Sequence, residues 1–165
     1  MISRHPDLSC KLERSPGARA CEFTAYSFAA PELQEAQWPC APGEVRFSPD
    51  GVPTLLHFAP GRWLGPTPDP DVAAMMESAV VAGVGTRVDV EGKWVAMTLS
   101  GAGAGRALAS TVDIGALMAD RACAAVGLFD CPALVVAHGG VYRLWIAASY
   151  AEEFEAAIGR LNRDR

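Results

Sequence analysis

Residues 88–101, VDVEGKWVAMTLSG, carry the clearest secondary-structure signal in the chain. Their apolar side chains alternate with polar ones at a period of two, and the pair Glu91-Gly92 interrupts the pattern near its centre. Such alternation is typical of half-buried β-strands, and a glycine-containing break between two such runs is typical of a hairpin. The sequence therefore predicts a strand over 86–90, a turn at 91–92 and a strand over 93–99, paired as a hairpin.

A helix is predicted upstream of this stretch. Asp69 is suited to cap its N-terminus, Pro70 suits the first helical position, and Gly83 suits the end. Its apolar side chains repeat at the i, i+3, i+4, i+7, i+8 spacing of a single helical face, and they are Val72, Met75, Met76, Ala79 and Val80. This face should pack against a core.

The first 43 residues are rich in proline and show little periodicity; the prolines are Pro6, Pro16, Pro31, Pro39 and Pro42. The sequence predicts an irregular N-terminal arm over 1–43, with a short strand at 22–28. Beyond it, a Pro-Asp-Gly turn at 49–51 separates strand-like runs at 45–47 and 54–58, which indicates a hairpin.

The remainder of the chain alternates short helices and strands. Helices are predicted near 106–110 and 114–118, and a capping box at 149–152 predicts a last helix after it. Three strands are predicted between them, over 122–129, 133–137 and 141–147, with the Gly139-Gly140 pair suited to a two-residue turn. The whole pattern indicates an α+β fold with two antiparallel β/α lobes, the first abbreviated, occupying residues 44–165.

Composition limits the classes of function. The chain has 165 residues, 50% hydrophobic and 20% charged, with a net charge of -5. An acidic chain with scattered cations is a poor partner for nucleic acid, because such binding depends on clustered cations that neutralise phosphates. Neither an apolar leader nor a bilayer-length apolar run is apparent, so we expect a cytoplasmic protein.

The cysteines and glycines suggest no site. Five cysteines without a C-x-x-C pair fit neither a closed disulfide framework nor a structural zinc site, so reduced thiols are expected. The run GAGAGR at 101–106 resembles a dinucleotide fingerprint, but Arg106 replaces its third glycine. No P-loop is present, because Lys11 and Lys93 are the only lysines in the sequence.

Candidate catalytic side chains are few and dispersed. The three histidines, His5, His57 and His138, share no metal-ligand spacing, and the loop carboxylates Asp113, Asp120 and Asp130 are adequately explained as turn residues. Trp63 and Trp94 lie beside strand-like apolar stretches and Trp145 lies within one, so core packing is expected for them. Trp38, outside any periodic element, is a candidate interface anchor. The sequence assigns no catalytic, cofactor-binding or metal-ligating residue.

Residues 88–101 also resemble a known family. They are similar to the V-D-V/L-S-x-x-W-V-A-L-x-L-S-G segment of the gamma subunit of heterotetrameric sarcosine oxidase, with Glu91 in place of a common serine. The resemblance extends over about residues 62 to 162, and its further matches are Leu64-Gly65-Pro66, Ala107-Leu108-Ala109-Ser110, Val112-Asp113-Ile114, Arg121-Ala122-Cys123-Ala124, Tyr142-Arg143-Leu144 and Ser149-Tyr150-Ala151. The Leu-Gly-Pro triplet continues here as Thr67-Pro68-Asp69, without the family's acidic and tryptophan residues.

The resemblance implies a fold like the folate-binding domain of glycine-cleavage aminomethyltransferases, in a non-catalytic structural subunit. It implies larger flavoprotein partner chains that hold FAD, FMN, NAD and tetrahydrofolate and demethylate sarcosine or a related N-methyl or secondary amine. No cofactor is expected in this chain. The alternative is a freestanding, tetrahydrofolate-binding protein of the aminomethyltransferase type.

Overall fold

The computed structural model describes residues 9–15, 19–27, 30–34 and 38–163. Within these ranges the chain forms ten strands and four α-helices, with short 3-10 turns at Pro31–Gln34 and Ala148–Tyr150. In chain order the elements are β1 (Lys11–Arg14), β2 (Cys21–Ala25), β3 (Val45–Phe47), β4 (Pro53–Ala59), β5 (Arg62–Gly65), α1 (Pro70–Val81), β6 (Gly85–Asp89), β7 (Trp94–Ser100), α2 (Ala104–Ala109), α3 (Ile114–Leu117), β8 (Cys123–Leu128), β9 (Cys131–His138), β10 (Val141–Ala147) and α4 (Ala151–Arg163).

The strands form two five-stranded antiparallel sheets. Sheet I has the order β3-β4-β5-β2-β6, and sheet II has the order β1-β7-β10-β9-β8. Helix α1 packs on the outer face of sheet I, and α2, α3 and α4 pack on the outer face of sheet II. A third apolar cluster lies between the sheets, so the layers run helix, sheet, sheet, helix. The predicted α+β class with two antiparallel lobes is confirmed at this level.

The central strand β9 shows why both faces of sheet II are apolar. Ala133 and Val135 pack towards the helices, whereas Leu134 and Val136 pack between the sheets. Successive side chains of a strand point to opposite faces, so a strand covered on both sides needs a continuous apolar run. The run at 133–137 meets this requirement.

Local signals predicted α1 and the β9–β10 turn correctly. The Asp69 carboxylate accepts hydrogen bonds from the amides of Asp71 and Val72, at 3.0 and 3.1 Å, and so caps the N-terminus of α1. Gly139 and Gly140 both have positive φ, +60° and +77°, as a primed two-residue turn requires. These features depend only on neighbouring residues.

The predicted hairpin between the strands at 86–90 and 93–99 is wrong. Strand β6 pairs with β2 in sheet I, and β7 pairs with β10 and β1 in sheet II. The turn at 91–92 therefore carries the chain from one sheet to the other. Alternation identifies a strand but says nothing about its neighbour, and here each strand finds a distant partner.

The region 1–43 also differs from the predicted irregular arm in its described parts. Strand β1 forms an edge of sheet II against β7, and β2 lies inside sheet I between β5 and β6. The short strand predicted at 22–28 corresponds to β2. Strands β1 and β5 have four residues each, too few for a periodic signal, and neither was expected.

Candidate functional site

A cluster of charged and polar side chains lies at the junction of the two sheets. The buried carboxylate of Glu22, on β2, accepts hydrogen bonds from Lys93 Nζ at 2.6 Å, Trp94 Nε1 at 3.0 Å and Arg62 Nη2 at 3.3 Å. We call these four residues the Glu22 cluster. Since Trp94 belongs to sheet II and Glu22 and Arg62 to sheet I, the cluster ties the sheets together.

The Glu22 carboxylate is held in its charged form. Burial alone would raise its pKa, but the hydrogen bonds from Lys93 and Trp94 and the charges of Lys93 and Arg62 lower the pKa below the ordinary glutamate value. A carboxylate with a lowered pKa is a weak base and holds no proton to donate near neutrality. The arrangement therefore suits a structural clamp better than acid–base chemistry.

His57 is buried on sheet I and stacks on Trp63, with ring centroids 4.2 Å apart. Neither ring nitrogen has a hydrogen-bond partner among the described residues. Burial lowers the pKa of His57, although the nearby backbone of Pro39 and the charge of Glu44 oppose this shift. His57 is therefore neutral near pH 7 and packed as an aromatic ring.

The other two histidines do not join it. His138, at the end of β9, stacks on Phe47 with centroids 4.6 Å apart. His5 lies outside the described residues. Among the described residues, no three His, Cys, Asp or Glu side chains come together as a metal site would require.

Trp38 is not the exposed interface anchor that the sequence predicted. It is 4% exposed and packs against Phe23 and Trp63, with ring centroids 5.1 and 5.2 Å away. Trp63 in turn donates its indole N–H to the carbonyl of Pro39 at 3.1 Å. The segment around Trp38, although outside any periodic element, is thus held in the core beneath α1.

The GAGAGR run has a structural role in this fold. Gly101 has φ of +97°, and a Cβ there would lie 2.8 Å from the carbonyl oxygen of Ser9. The amide of Gly103 donates to the same carbonyl at 3.2 Å, and the amide of Ala104 donates to Gly101 at 3.1 Å. Amides used in this way are not available to cradle a phosphate.

The loop carboxylates behave as turn residues. Asp113 accepts from the amide of Ala116 at 3.1 Å and caps α3, and Asp120 pairs with Arg121 at 3.4 Å. Asp130 adopts φ of +61° in the turn between β8 and β9. None of the three contributes to the Glu22 cluster.

All five cysteines are free thiols. Burial raises the pKa of Cys123 to about 12, against smaller opposing effects from the backbone at Gly43 and from Arg121. A thiol with such a pKa is almost entirely protonated near neutrality and is a poor nucleophile.

In the part of the chain that the structure describes, no helix is both long enough and apolar enough to cross a membrane.

The described residues border several cavities, and two of these have volumes above 500 Å³. One, of about 620 Å³, is bordered by Trp38, Glu44, Arg46 and Arg121. The other, of about 540 Å³, lies between the sheets at the β9–β10 turn; its lining includes Val52, Pro53, Pro66, Thr98, Arg143 and Trp145. We call it the inter-sheet cleft. Arg143 was not singled out from the sequence, although a charged residue at an inward position of an apolar strand is a usable signal.

No protein-family model matches the sequence, and no curated protein shows significant similarity to it. The structure, in contrast, aligns with a chain of heterotetrameric sarcosine oxidase from Corynebacterium sp. U-96, solved in complex with pyrrole 2-carboxylate. The alignment covers 93% of this chain and 85% of that chain, with a TM-score of 0.73 and 18% identity. The two chains share a fold. The family resemblance seen in the sequence is thereby confirmed at the level of architecture.

A second aligned structure is a protein of unknown function from Vibrio cholerae, described as a possible transport protein. The alignment covers 94% of this chain and 91% of the Vibrio cholerae chain, with 15% identity and a TM-score of 0.37. That score is too low for any inference about fold or function.

Proposed function

We propose that this chain is a non-catalytic, structural subunit of a multi-chain, flavin-dependent complex that oxidises sarcosine or a related N-methyl or secondary amine. The observation that carries the proposal is the alignment with a sarcosine oxidase chain over 93% of this chain and 85% of that one. Because coverage is high on both sides, the likeness concerns a whole subunit and not a shared motif.

The described titratable groups support the structural part of the proposal. Glu22 is committed to the Glu22 cluster, and Glu44 accepts from the amides of Cys40 and Ala41 at 2.7 and 3.2 Å. His57 is buried and stacked on Trp63. A catalytic acid or base must instead reach the proton that it transfers.

We place the redox cofactors of the complex, FAD, FMN and NAD, together with tetrahydrofolate, in the partner chains. Flavin and nicotinamide supply the hydride chemistry that amine oxidation requires. On this proposal the fold is that of an aminomethyltransferase folate-binding domain, used for packing in a cytoplasmic assembly. Its well-specified double sheet presents a rigid surface to those partners.

Co-purification tests the proposal directly. The chain, carrying a small tag and expressed at its natural level in its own organism, is purified in low salt and passed over a sizing column. We expect flavin absorbance and sarcosine-dependent peroxide formation to elute with the tagged chain, well ahead of a 17.4-kDa monomer. Elution as a monomer without flavin would refute it.

Two controls separate the subunit from the alternative. A parallel purification from an untagged strain reports flavoprotein carried through the column nonspecifically. Calorimetry of the isolated chain with tetrahydrofolate tests the freestanding folate-binding protein. We expect no heat of binding from the isolated chain, whereas micromolar binding together with monomeric elution would favour the alternative.

A further inference from the structure

The inter-sheet cleft has the size and walls of a small-molecule site. Its volume of about 540 Å³ lies within the range of roughly 300–1,000 Å³ that is usual for ligand pockets. Val52, Pro53 and Pro66 contribute apolar walls from sheet I and its loops, and the buried Trp145 contributes one from sheet II. Such walls favour a flat or apolar ligand body.

Arg143 brings a positive charge into this apolar space. On β10 it has the same orientation as Trp145, two residues on, whose side chain packs between the sheets. Its cross-strand neighbours are Thr98 on β7 and Val136 on β9, and Val136 also faces the inter-sheet core. The register therefore directs Arg143 towards sheet I, into the cleft that it lines.

No described residue neutralises the charge of Arg143. Three cationic side chains among the described residues are partly buried: Arg46, Arg87 and Arg143. Arg46 has the Asp71 carboxylate at 3.9 Å, and Arg87 has the Asp89 carboxylate at 3.0 Å. Arg143 has neither a carboxylate nor a side-chain hydrogen bond among the described residues, although partial burial of an unpaired charge costs free energy. An anion from outside the chain would repay that cost.

We propose that the inter-sheet cleft binds a small monocarboxylate with an apolar, preferably aromatic, body. The planar guanidinium of Arg143 would hold the carboxylate through two parallel N–H donors, the geometry that arginine offers and lysine does not. A single arginine suits one negative charge, and Asp50 on the rim of the cleft together with the net charge of -5 disfavours a dianion. This proposal does not rest on the proposed function, because every residue that forms the cleft belongs to this chain and the isolated chain can be tested.

Benzoate is a suitable probe, and benzamide is its matched neutral control. The isolated full chain is titrated with each by calorimetry, and the indole N–H resonance of Trp145 is followed to locate binding. We expect benzoate to bind at least about tenfold more tightly than benzamide, because hydrogen bonds to charged groups contribute about 1.5–3 kcal/mol. Equal affinities, or no benzoate binding at tens of millimolar, would overturn the proposal.

Variants test the role of Arg143 itself. Arg143→Gln should weaken benzoate about 10- to 100-fold, and Arg143→Lys should recover only part of the loss. Arg106→Gln, which removes an exposed cation outside the cleft, should leave the affinity unchanged. Because Arg143 has no ion-pair or side-chain hydrogen-bond partner among the described residues, Arg143→Gln should unfold at the same temperature as the parent or a higher one. Unchanged benzoate affinity in folded Arg143→Gln would contradict the assignment.

Discussion

Replacing Glu22 with glutamine should destabilise the whole protein, because this carboxylate connects the two sheets. The substitution keeps the size and shape of the side chain and removes its charge. It weakens three contacts, those to Lys93 at 2.6 Å, Trp94 at 3.0 Å and Arg62 at 3.3 Å. The two cations are then left without their counter-charge at the junction of the sheets.

The size of the effect follows from burial. Removing one partner of a fully buried ion pair costs about 3–5 kcal/mol. Here the side chains of Lys93 and Arg62 are 45% and 46% exposed, so water takes over part of the lost interaction. We therefore expect Glu22→Gln to lower the free energy of unfolding by about 2 kcal/mol, or roughly 4–8 °C in Tm for a chain of this length.

Urea unfolding followed by tryptophan fluorescence measures this difference, with Glu13→Gln as the matched control. The Glu13 carboxylate pairs with Lys11 at 2.6 Å, but both side chains are more than half exposed, and we expect a loss below about 0.5 kcal/mol. The deficit of Glu22→Gln should also shrink on acidification. Because folding lowers the pKa of Glu22, its contribution is present above the ordinary value of 4.5 and is lost as pH falls through the lowered pKa. Equal losses in the two variants would refute the clamp.

Three further predictions concern buried groups. Because burial lowers the pKa of His57, the unfolded chain takes up a proton below pH 6.5 that the folded chain does not, so the free energy of unfolding of the parent should fall as the pH drops below 6.5. His57→Phe should remove this part of the pH dependence. An unchanged pH dependence would count against a buried, neutral His57. An alkylating reagent should modify the exposed thiol of Cys40 in the native protein. Cys123, which is buried and has its pKa raised to about 12, should react only after unfolding, and mass spectrometry distinguishes the two sites. Gly85→Ala would place a Cβ 2.4 Å from a backbone oxygen of β2 and should lower the free energy of unfolding by at least about 1–3 kcal/mol. Gly127→Ala, whose Cβ would have no atom within 4 Å, should leave the free energy of unfolding nearly unchanged in the same urea assay.

Helix α1 and the β9–β10 turn could be predicted because their signals are local. An aspartate cap followed by proline, and a Gly-Gly pair that tolerates positive φ, act over a few neighbouring residues. The pairing of β6 could not be predicted in the same way. Its partner β2 is about sixty residues away, and period-two alternation is equally compatible with any antiparallel neighbour.

The same distinction explains the outcome for individual side chains. Trp38 has no periodic context, and only the folded arrangement shows that it packs with Phe23 and Trp63. The Glu22 cluster brings together residues more than seventy positions apart in the sequence, so no local motif predicts it. Arg143 is the partial exception, since a charge at an inward position of an otherwise apolar strand could have been noticed.

Native mass spectrometry of the tagged chain, purified at its natural abundance, gives the most direct test of membership in an amine-oxidising assembly. We predict a particle containing this 17.4-kDa chain, at least one larger chain and the mass of bound flavin. A spectrum that contains only the free chain, recorded under conditions in which the host's sarcosine-oxidising activity survives intact, would contradict the account.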